Sequence, residues 1–239
     1  STSLIGAYEV FKESNALLLL KNSLLKDRSL YKQGWKLGRY YWGPGDYKLD
    51  DFDDYSDRIV LSGTNWLATH YAMFQYPQGV DVYEHGHHQS IHYDRHRKPI
   101  MDVLSNLDYK IAKLENGVRV SQQEYYRRIS DAKILLAPYG YGEMAPRDLD
   151  AAQFGSILIK PDMSHIDTYP NPFIDGETYV ACKHDYSDLS EKIEDIMTNY
   201  SSYQHIIENA RRTFTELYCP ENIAVHVYNI FKNLKGIST

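Results

Sequence analysis

The segment from Gly140 to Asp150 holds the groups best suited to chemistry. Gly140 and Gly142 open a turn after the apolar run KILLAP, and Arg147 and Asp150 fall in the first turns of the helix that follows. Pro146 suits the first helical position of that helix and Gly155 its stop. Unpaired backbone N–H groups and the helix dipole make such a start a ready anion site. A guanidinium there adds charge-assisted, bidentate contacts to a phosphate, and the Asp150 carboxylate beside it is a hydrogen-bond acceptor. The bland account is that Arg147 pairs with Asp148 or Asp150 at a helix start where acids are welcome anyway. Glu143, in the loop itself, is read as a general base or an electrostatic partner for a sugar, against the alternative of a solvated loop acid.

Three other groups carry potential chemistry. Ser62 and Gly63 follow an apolar strand, Arg58–Leu61, where a first strand-to-helix turn would approach a ligand. Arg95, Arg97 and Lys98 form a basic cluster suited to an anion. The run from His85 through His87, His88 and His92 to His96 contains imidazoles at helical spacing that can share a zinc ion. Gly86 and the lack of helical apolar periodicity favour a solvated polar loop instead, so no metal is expected. The acids Asp50, Asp51, Asp53 and Asp54 lack a calcium-loop pattern and read as a solvated linker.

The elements that must position these residues alternate along the chain. Ser121 and Glu124 form a capping-box pattern ahead of a helix carrying Tyr125, Ile129 and Ala132. KILLAP and SILIK then read as buried parallel strands on either side of the glycine loop and its helix. Residues 178–182 read as a further strand, and three helices follow at 188–200, 202–218 and 221–234. The last one has an apolar stripe of Ile223, Val227, Ile230 and Phe231, expected to pack in the core. Residues 4–31 read as helical and residues 31–57 as a looped connector. Residues 95–107 read as a helix and 109–114 as a short strand. This alternation predicts an α/β fold with a mostly parallel sheet covered by helices on both faces.

The stretch YYRRISDAKILLAPYGYGEMAPRDLDAAQFGSILI, then PFIDGETYV and the helix DLSEKIEDIM, resembles the nucleotide-sugar-binding C-terminal domain of GT-B glycosyltransferases. The nearest likeness is to the group-1 and spore-coat-maturation-like families, with exostosin-type enzymes more distant. The resemblance implies a Rossmann-like domain over residues 55–239, preceded by a small helical region and connector over 1–54. It implies that Asp150 stands in the place of the acid that holds the donor ribose, and that Arg147 lies near the diphosphate. Asp replaces the usual Glu, and the place of the second glutamate of retaining members falls on Gly142, with Glu143 beside it. The expected activity is transfer of a sugar from a nucleotide-diphosphate donor to a glycan, lipid or protein acceptor, without a metal or further cofactor. A full GT-B enzyme has two such domains. Here the acceptor domain is reduced to residues 1–54, or the chain is a piece of something longer, or another chain or copy supplies it. The other reading is a non-catalytic nucleotide- or glycan-binding module that works with a partner chain.

Composition sets the outer limits. A formal net charge of −6 argues against general nucleic-acid binding. Two cysteines, Cys182 and Cys219, make no disulfide framework and point to a reducing, cytoplasmic setting. The apolar run Ala16–Leu20 is too short to span a bilayer.

Overall fold

The structure, a computed structural model, describes residues 3–4, 6–36, 43–44, 48–63, 79–84, 91–113, 118–140 and 142–234, with backbone alone at 35–36, 43–44 and 91–96. Its first part is not the helical region expected. Helix α1 (Ala7–Glu13) is followed by strands β1 (Leu19–Lys21) and β2 (Ser23–Leu25), and by the single turn α2 (Leu30–Gln33). Strands β3 (Trp35–Lys36) and β4 (Gly43–Pro44) pair with each other, and then come α3 (Phe52–Tyr55) and β5 (Ile59–Leu61). The Leu-rich run 17–25 supplies strands because its residues are shared between two small sheets. β1 pairs in parallel with β5, and β2 pairs antiparallel with a later strand. Leu4, Tyr8, Phe11, Leu24, Leu25, Tyr31, Leu49, Phe52 and Ile59 close a core of their own. The 50–54 acids are therefore not merely a solvated linker. Phe52 is buried, and Asp51 accepts hydrogen bonds from the Tyr8 hydroxyl (3.0 Å) and from Lys12 Nζ (2.8 Å).

The main sheet starts with β6 (Val80–Glu84), a strand the sequence reading had not placed. Helix α4 (Ile91–Leu104) and β7 (Ile111–Lys113) follow, then α5 (Gln122–Ser130), β8 (Ala132–Leu136), α6 (Pro146–Phe154) and β9 (Ile157–Pro161). After β10 (Ile166–Thr168), the partner of β2, come β11 (Val180–Cys182), α7 (Leu189–Thr198), α8 (Gln204–Leu217) and α9 (Pro220–Leu234). Strands β7, β6, β8, β9 and β11 lie side by side in that order, and all are parallel. The register places Ile111, Val82, Ile134 and Ile157 in one row across four strands. That face packs on Ile100 and Leu104 of α4 and on Leu189, Ile193 and Ile196 of α7. Tyr83, Leu135 and Leu158 point the other way, onto Ile129 of α5 and Ala151 and Phe154 of α6. Strands buried on both faces read as unbroken apolar runs, which is why KILLAP and SILIK were recognisable.

Two local expectations need correction. Ser121 does cap α5, its hydroxyl accepting from Glu124 N–H at 3.2 Å. The reciprocal half of the box is missing, because the Glu124 carboxylate is taken by Arg127 Nε and Arg128 Nε, both at 2.8 Å. Those two arginines hold that carboxyl down at about 2. Helix α9 is not an ordinary core helix either. Of its expected stripe only Ile223 is buried; Val227 and Ile230 are half-buried and Phe231 is 54% exposed, and Val225 and Tyr228 beside the stripe are exposed too. As the last helix, α9 meets the first part of the chain along one edge, where His226 Nε2 donates to Leu61 O at 2.9 Å.

Core and surface should therefore separate cleanly under denaturation. Ile134→Ala, at the centre of the sheet, is expected to cost about 2–5 kcal/mol, and Phe231→Ala less than about 0.5 kcal/mol. Urea midpoints of the two variants measure the difference.

Candidate functional site

The chain leaves β6 toward β7 at one edge of the sheet and leaves β8 toward β9 and β11 at the other. Such a reversal opens a crevice beyond the carboxyl ends of the two central strands, the usual ligand position in open α/β sheets. Two of the residues expected to bind a ligand meet at this crevice. Gly140 follows β8, and a Cβ placed on it would lie 4.0 Å from Arg97 Nη2. Arg97 reaches there from α4 and is buried. Buried Glu84 ends β6, and both it and Arg97 act electrostatically on the buried Tyr186 hydroxyl. Arg95 lies on the same helix, whose side chains at 91–96 fall outside the description, as does the stretch 85–90 with most of the histidine run. Among the described residues no group of three His, Cys, Asp or Glu side chains is placed to hold a metal.

The loop from β8 to α6 is held closed from within, Gly140 N–H donating to Gly142 O at 3.0 Å. Gly140 does not have a positive φ, and a Cβ there would meet only ordinary contact, so neither strain nor crowding requires glycine at this position. Ala145 caps α6 in extended conformation with Pro146 as the first helical residue, and Gly155 ends the helix in the left-handed region at φ 80°. Alanine has no side-chain acceptor, so only the reach-back half of a capping box exists here: Asp148 Oδ2 accepts from Ala145 N–H at 2.9 Å.

Arg147 and Asp150, both partly buried, stand one turn apart at the start of α6. Tyr125 of α5 donates its hydroxyl to Asp150 Oδ2 at 2.9 Å, fixing that carboxylate's orientation. Burial and the Asp150 charge push the Tyr125 hydroxyl far up. Asp148, considered from sequence as a partner of Arg147, feels the Arg147 charge, but it is 1% exposed and sits 3.2 Å from Lys160 Nζ, itself 0% exposed at the end of β9. Burial raises the Asp148 carboxyl and lowers the Lys160 ammonium, and each opposes the other's shift. Nothing in the sequence pointed to this pair except a lysine closing an apolar strand.

Glu143 is buried, which removes the alternative of a solvated loop acid. Its charge acts on Lys160 and His165 and also on Lys21 of β1. The first part of the chain is brought there by β2, which pairs with β10 so that Ser23 faces Thr168 and Leu25 faces Ile166. Thr168 Oγ1 donates to Asn22 O at 3.1 Å, and Arg28 bridges to Asp167 at 2.9 Å. Beyond β9, Tyr139 donates to Asp162 O at 2.9 Å, and His184 Nε2 lies 3.0 Å from the same carbonyl. The His165 and His184 rings meet edge to face at 5.5 Å.

Ser62 and Gly63 take a different place from the one expected. Their strand β5 belongs to the small sheet with β1, so they do not form the first strand-to-helix turn of the main sheet. Ser62 N–H donates to Lys21 O at 2.9 Å. Gly63 has φ +83°, and a Cβ there would meet Tyr169 O at 2.8 Å, so this glycine serves a tight backbone contact. A cleft of about 340 Å³ lies near this region, between α9 and the first part of the chain, lined by Leu18, Asp57, Val60, His226 and Ile230. It lacks the glycine loop, helix start and arginines gathered at the main crevice.

No family model and no curated protein sequence matches the chain. Solved structures do match. A glycosyltransferase from Rickettsia africae ESF-5 matches with a TM-score of 0.57 and 13% identity, over 97% of this chain and 74% of that one. Sucrose-phosphate synthase from Thermosynechococcus elongatus matches with a TM-score of 0.55 and 12% identity, over 79% of this chain and 57% of that one. A variant of S. aureus TarM in complex with fondaparinux, alpha-GlcNAc-glycerol and UDP gives 0.56 and 14%, over 73% and 39%. The chain thus spans little more than half of the synthase and well under half of TarM. At these identities the likeness shows the fold alone, an α/β Rossmann-like fold of the GT-B type. Among the described residues no helix is long and apolar enough to cross a membrane.

Burial, with the neighbouring His184 adding to it, lowers the His165 imidazole from 6.5 to about 4. The unfolded chain takes up this proton near 6.5 and the folded chain only near 4. The stability from the neutral ring is thus complete above pH 6.5 and falls as pH drops toward 4. Over that window one such group contributes a slope of at most about 1.4 kcal/mol per pH unit. Denaturation midpoints at pH 7 and pH 4.5 should show a smaller acid loss for His165→Gln than for the parent.

Proposed function

We propose that this chain is a glycosyltransferase, or the donor-binding part of one, that takes a nucleotide-diphosphate sugar, with uridine diphosphate as the first donor to test. One observation carries the reading: the Gly140–Asp150 loop and the start of α6 sit beyond β8 at the strand-order reversal, with Arg97 across the crevice from Gly140. Fold alone does not give function, so the case rests on what these groups can do.

A departing nucleoside diphosphate leaves with extra negative charge. Loop amides, the α6 N-terminus, Arg97 and Arg147 are fixed dipoles and cations that stabilise such charge without reorganising. No metal is needed in this scheme. Asp150, oriented by Tyr125, accepts hydrogen bonds from the ribose hydroxyls. Glu143 is the group proposed to act on the sugar. It is buried in the loop and within electrostatic reach of Lys21 of β1, so a sugar held at the diphosphate would meet it toward the first part of the chain. An acceptor, whether glycan, lipid or protein, would come in from that side. The TarM relative with UDP bound and the sucrose-phosphate synthase relative support a donor of this class.

A thermal-shift screen with UDP, GDP, dTDP and CDP tests the proposal. Ligand at about a hundred times its dissociation constant adds roughly 2.7 kcal/mol of stability, so one nucleotide should raise the melting temperature clearly. Arg147→Ala and Asp150→Ala should each weaken its binding at least about tenfold, as expected for lost hydrogen bonds to charged groups. Gly140→Ala should keep the parent's stability, since its Cβ meets nothing closer than 4.0 Å. Silence from every nucleotide, or variants that bind like the parent, would sink the proposal.

A further inference from the structure

Lys160 follows the apolar run Ile157-Leu158-Ile159 and has its whole side chain buried. A lysine in that position is costly unless its charge is paired and hydrogen-bonded. Its Nζ lies 3.2 Å from Asp148 Oδ1 and 3.5 Å from Ala137 O. These partners stand at the two ends of the candidate donor loop. Ala137 is the residue that leaves β8, and Asp148 sits in the first turn of α6, where its other oxygen holds the Ala145 N–H at 2.9 Å. The rings of Tyr139 and Phe173 flank the ammonium at 5.2 and 5.9 Å, a cation–π setting that adds to its confinement. One cation anchored on the neighbouring strand β9 therefore ties the start of the loop to its finish.

Packing alone does not account for this arrangement, since an apolar pair of similar volume generally stabilises a core as well or better. We infer that Lys160 is a positioning residue: from beneath the Gly140–Asp150 loop it fixes the spacing between the loop amides and the α6 N-terminus at which a diphosphate is held. The diphosphate part of this inference rests on the function proposed above. The ordering of the loop does not.

Lys160→Met alone strands the Asp148 carboxyl in the core and risks unfolding, so the informative variant is Asp148→Asn with Lys160→Met. Both charges go, and the Asn carbonyl can still accept from Ala145 N–H. Two readouts are needed on the folded double variant: hydrogen–deuterium exchange of the amides from Gly140 to Ala145, and UDP affinity by calorimetry. The expected result is a melting temperature near the parent's, unchanged protection of β8 and β9, loop exchange at least about tenfold faster and UDP binding at least about tenfold weaker. Loop exchange equal to the parent's overturns the inference, and so does faster exchange with unaltered UDP affinity. If the parent itself binds no UDP, the donor reading falls, while the exchange comparison still decides whether Lys160 orders the loop.

Discussion

Strands β6 and β8 lie side by side and parallel, yet the chain departs from them toward opposite edges of the sheet. That divergence opens a crevice beyond their carboxyl ends, the usual place for a ligand in an open α/β sheet. Glu84, Gly140 and Arg97 all answer to this constraint. Glu84 ends one strand, Gly140 follows the other, and Arg97 comes down from the helix that β6 feeds. The apolar rows of Val82, Ile134 and Ile157 hold the two strands rigidly enough to keep that geometry.

Charges near such an edge are expensive because the sheet behind them is dry. The molecule meets this cost by pairing them. Lys160 and Asp148 satisfy each other below the loop, and Tyr125 satisfies Asp150 above it. The first part of the chain adds a further layer. By pairing β2 with β10 it brings Lys21 within electrostatic reach of the buried Glu143.

Much of this was legible in the sequence where local signals agreed with the fold. Ser121, Pro146 and Gly155 marked helix ends because their backbone preferences are local. KILLAP and SILIK were unmistakable because parallel strands are apolar on both faces. The glycine loop with Arg147 and Asp150 followed directly. What escaped depended on distant partners. Val80–Glu84 was obscured by Asp81, whose carboxylate is occupied by Lys133 Nζ at 2.7 Å, so a charged residue sits within a central strand. The Leu-rich stretch 17–25 looked helical because nothing local reveals that its residues pair with β5 and β10. Ser62 and Gly63 had the right local pattern for a ligand turn, but β5 joined another sheet. Lys160 gave the weakest signal of all, since its partner lies on the far side of a loop.

The most direct test of the central claim is a crystal structure of the chain grown with UDP. The account predicts the diphosphate against the amides of the Gly140–Ala145 loop, between Arg97 and Arg147, with the ribose hydroxyls on Asp150. Nucleotide found instead in the cleft beside α9, or a crevice that stays free of it at saturating UDP, would contradict it.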